Sequence, residues 1–116
     1  MREIKFQAWD LDAQQMYNWE SIKQLFHEHL DHPRVKVRQY TGLKDRQDRE
    51  IYEGDVVKGI RDSHWHGGYD IVLGKVEFDE ETCSFRVDGG GLLYRIEEIE
   101  VIGDVYRNPE LLEAKK

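Results

Sequence analysis

The chain has 116 residues, with 17 Lys and Arg against 24 Asp and Glu and a formal net charge of -7. That length fits one domain, residues 1–116, and excludes two independent cores. The acidic balance opposes non-specific attraction to phosphate backbones, and the single cysteine, Cys83, excludes an intrachain disulfide or a four-thiolate zinc site.

The opening MREIKFQAWD lacks the apolar segment of a secretory signal, and no run nears the roughly 20 apolar residues that span a bilayer, so a cytoplasmic protein with no membrane partner is expected. Residues 4–9 alternate as a half-buried strand, with Ile4, Phe6 and Ala8 toward the core and Trp9 on the opposite face, where it needs a second layer or a partner. A turn at Asp10–Gln14 leads to a second strand near Gln15–Trp19. Ser21 then reads as a helix N-cap with Gln24 completing a capping box, and Ile22, Leu25, Phe26, His29 and Leu30 form one apolar stripe over about 10 residues. Pro33 ends that helix.

Val35–Tyr40 returns to alternation, with Val35 and Val37 on one face and Lys36, Arg38 and Tyr40 on the other. Thr41-Gly42 and Glu53-Gly54-Asp55 mark two corners, because glycine tolerates positive φ and Asp bonds its own backbone. Between them, the polar run Lys44–Glu50 reads as a solvated loop. Ile51-Tyr52 is a very short strand and Val56–Ile60 a longer one. Arg61–Tyr69, RDSHWHGGY, breaks periodicity and reads as a long loop containing Trp65. Ile71–Phe78 is a strand with a bulge or close crossing at Gly74. Cys83–Val87 follows, with Cys83, Phe85 and Val87 on one buried face. Asp88–Gly91 reverses the chain into Leu92–Ile96, and the strand near Val101–Tyr106 is interrupted at Gly103. Asn108-Pro109 caps a terminal helical turn that carries Leu111 and Leu112. The expected fold is mainly β: a small bent antiparallel sheet or SH3-like barrel with one inserted helix and a short C-terminal helical turn.

Chemistry-bearing residues are present without an assembled pattern. His27, His29 and His32 in FHEHLDH, with His64 and His66 in HWH, are ligand types for zinc, yet FHEHLDH is not HExxH, whose histidines stand four apart on one helical face. The acids Asp45, Asp48, Glu50, Glu53 and Asp55 are interleaved with basic residues and lack a calcium-loop pattern. Gly89-Gly90-Gly91 has no following Walker lysine. No catalytic, metal or cofactor residue is assigned, and the expectation is a non-enzymatic protein.

An interaction role fits better. Trp65, Tyr69 and Trp9 supply aromatic area suited to anchoring a partner protein. The alternative is a nucleic-acid patch of Arg34, Lys36 and Arg38 with Tyr40, which needs local convergence against the global charge. A metal-dependent enzyme ranks third, and self-association through an exposed edge is a further possibility.

The combination MREIKFQAWD, MYNW, QYTGLKDRQDREIYEGDVV, KVEF and VIGDVYRNPELLE closely resembles the YopX family of small phage and prophage proteins, across essentially the whole chain. The resemblance implies a largely β fold in the cytoplasm of a bacterial host and carries no catalytic residue set. With it, the expected role is an accessory or regulatory module that binds a host or phage protein.

Overall fold

Asp10 shapes the first corner of the chain. Its carboxylate accepts the N–H groups of Asp12 and Ala13 at 2.9 and 3.0 Å, and Gln14 closes the turn at φ 54°, so local polar bonding reverses the chain without an Asn-Gly pair. The turn joins β1 (Phe6–Asp10) to β2 (Gln15–Tyr17) in the computed structural model, which describes residues 4–63 and 67–113.

The inserted helix departs from the single expected stripe. It consists of α1 (Trp19–Ile22), a 3-10 turn (Lys23–Leu25) and α2 (Phe26–Asp31). Its N-cap is Asn18, not Ser21: Asn18 Oδ1 accepts from both the Ser21 N–H and the Ser21 hydroxyl, at 3.0 and 2.9 Å. The 3-10 turn has three residues per turn in place of 3.6, so it rotates the later residues off a common face. Ile22 is buried and Phe26 half-buried, while Leu25 and Leu30 are exposed. Phe6, Trp19 and Phe26 meet with ring centroids 4.6 to 5.7 Å apart and fasten the insertion to β1.

Next come β3 (Val35–Lys44), β4 (Glu50–Tyr52), β5 (Asp55–Asp62), β6 (Tyr69–Asp79), β7 (Ser84–Val87), β8 (Gly91–Leu92), a 3-10 turn (Leu93–Arg95), β9 (Glu97–Asp104) and α3 (Glu110–Glu113). Two antiparallel sheets result, ordered β2-β1-β3-β4 and β8-β7-β6-β5-β9. Together they form a curled half-barrel with the helical insertion against the first sheet. The alternation places Val57, Val72, Val76, Phe85 and Val87 on the inner face of the larger sheet, where they pack with Ile51, Leu93 and Ile96. Gly74 is needed for that packing: a Cβ there would lie 2.4 Å from the Asp88 carbonyl oxygen, so the turn after β7 crosses directly over it.

Cys83 is a correction. The β6 and β7 pairing ends at Asp79 opposite Ser84, which puts Cys83 in the connecting turn at φ 52°, exposed, and not on the buried face beside Phe85 and Val87. The side chain of Asp79 accepts the Glu81 N–H at 3.0 Å and sets that turn.

Candidate interaction surface

Two groups of residues could carry function: a buried polar network between the sheets and an exposed apolar stretch of β6. The network begins with Arg38 and Asp55, whose side chains are each 4% exposed and meet at 2.5 Å. Gln7 Oε1 accepts from Arg38 Nε and Nη2 at 3.0 and 2.6 Å, and the second Asp55 oxygen accepts the Tyr52 N–H at 2.8 Å. Burial pushes the Asp55 carboxyl upward, with Arg38 pulling it back. Tyr52, beside this pair and Glu50, is pushed up to about 12 by burial and by the neighbouring carboxylate.

Asp104, 1% exposed, closes the other side. It accepts the N–H groups of Tyr106 and Arg107 at 3.0 and 2.8 Å and holds the Arg107 guanidinium at 2.6 and 2.7 Å. Burial opposes its charge, but those bonds and the cations Arg107 and Arg38 outweigh the cost and hold the carboxyl below its ordinary value. A cavity of about 410 Å³ opens over the network. Each guanidinium around it already faces a carboxylate: Arg38 on Asp55, Arg107 on Asp104, and Arg49 on Asp45. Paired in this way, the network joins the two sheets.

This arrangement corrects the basic patch expected at Arg34, Lys36, Arg38 and Tyr40. Lys36 and Arg34 are exposed, and Arg34 pairs with Asp12 at 3.1 Å. Arg38 and Tyr40, each 4% exposed, lie inside: Arg38 is held by Asp55 at the start of β5 and lies over the Tyr52 ring, and Tyr40 packs against the same Tyr52 with ring centroids 5.4 Å apart. Lys5 stands over the Tyr40 ring and bonds Glu50. The four residues therefore form no continuous surface. Trp9 is corrected for the same reason: it is 3% exposed and stacks on Tyr106 with ring centroids 6.1 Å apart, so its second layer comes from its own chain. Trp65, His64 and His66 lie outside the described residues. Of the other histidines, His27 and His32 are exposed and His29 half-buried. Among the described residues no group of three or more His, Cys, Asp or Glu side chains converges as a metal site would require.

Tyr69, the remaining aromatic candidate, is exposed. It opens β6 and is 58% exposed, and Ile71, two residues on and therefore on the same face, is 75% exposed. Ile60 stands directly opposite Ile71 on β5 and is half-buried. Leu73 continues the row. Val72, Gly74 and Val76 point inward to the core, while the outer face of this part of β6 is exposed at Tyr69 and Ile71 and half-buried at Leu73. Nearby, a cavity of about 770 Å³ is lined by Arg61, Asp70, Gly90, Tyr94, Arg95 and Glu97 among others. Arg61 donates to the Gly90 carbonyl at 2.8 Å there.

The sequence matches the family model described as YopX protein over residues 5–113. The chain belongs to the YopX family. This YopX chain, from a family of phage and prophage proteins, shares its fold with the crystal structure of protein EF1440 from Enterococcus faecalis: the TM-score is 0.66 at 19% identity, covering 97% of this chain and 99% of that one. No curated protein matches it. Among the described residues no helix is long and apolar enough to cross a membrane.

Gln7, Asp104, Tyr106 and Arg107 do not stand out in the sequence. The signal for Asp104 lies in its spacing: an Asp followed by free N–H groups two and three residues on, with Arg at the third position, is an Asx turn closed by its own ion pair.

Proposed function

We propose that this YopX-family protein is a non-enzymatic accessory module of the bacterial cytoplasm that binds a phage or host protein through the outer face of the larger sheet. The observation that carries this reading is the pair Tyr69 and Ile71, one aromatic and one β-branched, exposed side by side over Ile60. Large apolar groups on a rigid strand lose little conformational freedom on contact and anchor protein interfaces effectively. The buried charges support the reading from the other side, since their pairing gives them a structural role.

The test is gentle isolation of untagged protein from a bacterial host carrying the phage genes, followed by native mass spectrometry and quantitative binding to the co-purified protein. Tyr69→Ala and Ile71→Asp are each expected to retain the fold and weaken binding at least tenfold, equivalent to about 1.4 kcal/mol of binding free energy. Folded variants with undiminished affinity would reject this face as the binding surface.

A further inference from the structure

Hydrogen-bond direction along β6 separates its two edges. Val76 points its carbonyl toward β5, accepting the Gly54 N–H at 2.8 Å, while Lys75 points its carbonyl the other way, accepting the Asp88 N–H at 2.9 Å. Backbone groups alternate along a strand, so Tyr69, Ile71 and Leu73 turn their N–H and C=O groups to the same side as Lys75. The partner strand on that side is β7, and it pairs only with Val76–Asp79. Among the described residues, no strand therefore lies beside the outward backbone groups of Tyr69, Ile71 and Leu73, and this stretch of β6 is an edge paired with β5.

Other edges of the two sheets are treated differently. β2, β4 and β8 have three, three and two residues, too short to template another strand. The longer β9 is capped: Ile99 O accepts the Arg46 N–H at 2.8 Å, Val101 N–H goes to the Asp45 carboxylate at 2.9 Å, and Asp104 N–H faces Asn108 Oδ1 at 3.4 Å. The β6 stretch has no proline or lysine among its five residues, and it carries the exposed Tyr69 and Ile71.

We infer that this edge pairs with a second copy of itself, antiparallel about a two-fold axis through Ile71. The stretch is self-complementary in that register. Ile71 faces its own copy, and Tyr69 faces Leu73 of the other protomer on both sides of the axis, so every outward backbone group finds a mate in about six hydrogen bonds. On the outer face the pairing brings together only Tyr, Ile and Leu. On the inner face Asp70 is set against Val72 of the other copy, so no like charges oppose. Gly67 and Gly68, with φ of 67° and 84°, bend each chain out of the extended path just before Tyr69, which ends the joint short of the turn at Asp88 of its mate. The two larger sheets become one continuous sheet, and two copies of the Tyr69–Ile71 face lie next to each other. This inference deepens the proposed binding role, since it uses the same strand, but it rests on the backbone edge and not on the side-chain face.

Cysteine cross-linking of the full chain in a Cys83→Ser background tests the register. Ile71→Cys places two thiols across the axis with Cα atoms about 5.5 Å apart, inside the roughly 4.4–6.8 Å that a disulfide spans. Tyr69→Cys places them roughly 15 Å apart along the strands, beyond reach. Rapid oxidation of the Ile71→Cys protein to a covalent dimer, with Tyr69→Cys remaining monomeric, is the expected result. Loss of the non-covalent dimer in sedimentation on Ile71→Lys accompanies it. A chain that is monomeric in sedimentation, or equal cross-linking at the two positions, overturns the pairing. If the pairing fails while Ile71→Lys still abolishes binding to a partner protein, the proposed function stands without it. Cross-linking at Ile71 with partner binding unchanged in Ile71→Asp keeps the dimer and removes the binding role.

Discussion

Replacing Asp45 removes the group on which the central QYTGLKD segment and β9 both depend. Its side chain is fully buried and accepts four bonds: the N–H groups of Gln47, Arg49 and Val101, each at 2.9 Å, and Arg49 Nε at 3.2 Å. Asp45→Ala leaves three backbone donors without their acceptor. An orphaned buried donor costs about 1–3 kcal/mol, and the two within the loop regain water more easily than Val101, so a total of about 3–5 kcal/mol is expected. That is a large share of the roughly 5–15 kcal/mol that holds a domain of this size together. Asp45→Asn keeps one acceptor oxygen but turns an amide N–H₂ toward a donor, and a destabilisation of about 2–3 kcal/mol is expected.

The same residue fixes an acid limb. Burial opposes the Asp45 charge, but the N–H groups of Val101, Arg49 and Gln47 and the Arg49 cation outweigh it and hold its carboxyl below the ordinary value. Its contribution is therefore complete above the unfolded-state value near 4 and disappears as pH falls through the lower folded-state value. Urea unfolding followed by tryptophan fluorescence between pH 7 and pH 2 measures both effects. Asp45→Asn is expected to be less stable at pH 7 and to lose less stability than the parent on acidification. An Asp45→Ala protein within about 0.5 kcal/mol of the parent, a change typical of a plain surface substitution, would refute the role of the clamp.

Three further outcomes follow from the packing. Arg38→Met strands the buried Asp55 carboxylate and is expected to cost about 3–5 kcal/mol at pH 7. Because the folded-state value of Asp55 is raised, part of that loss returns as pH falls through it and the carboxyl takes up a proton, which the same unfolding series detects. Gly74→Ala sets a methyl 2.4 Å from the Asp88 carbonyl and is expected to destabilise by about 1–3 kcal/mol, read as a lower thermal midpoint. Cys83, exposed in its turn, is expected to titrate fully with a thiol reagent under native conditions; protection until unfolding would contradict its placement.

The strands are legible in the sequence wherever local chemistry and tertiary packing agree. Phe85 and Val87 alternate into the core as their spacing implies, and Gly74 marks the close crossing that a bare backbone position permits. Asn108-Pro109 opens the terminal helical turn at α3. Legibility ends where distant segments decide burial. Nothing local distinguishes Arg38 from Lys36, since both sit on an alternating strand, and only the arrival of Asp55 and Tyr52 turns one into a buried partner. Trp9 does need a cover, as its alternation implies, but the cover is Tyr106 from the far end of the chain. Cys83 falls one residue outside the hairpin register that alternation alone suggests. The candidate surface is half visible: Tyr69 stands out by its residue type, whereas Ile71 reads as one more apolar strand position, and its exposure depends on which face of the sheet the rest of the chain covers.

The stack of Trp9 on Tyr106 also sets a timetable for synthesis. The N-terminal hairpin is synthesised first, yet the ring that stacks on Trp9 is encoded roughly 100 residues later, about 5–20 s at ordinary elongation rates. During that interval the indole lacks the ring that stacks on it and is open to a chaperone or to another nascent chain. Burial of Trp9 thus reports that translation has passed Tyr106, and a stalled fragment lacking that segment presents an adhesive patch absent from the finished protein.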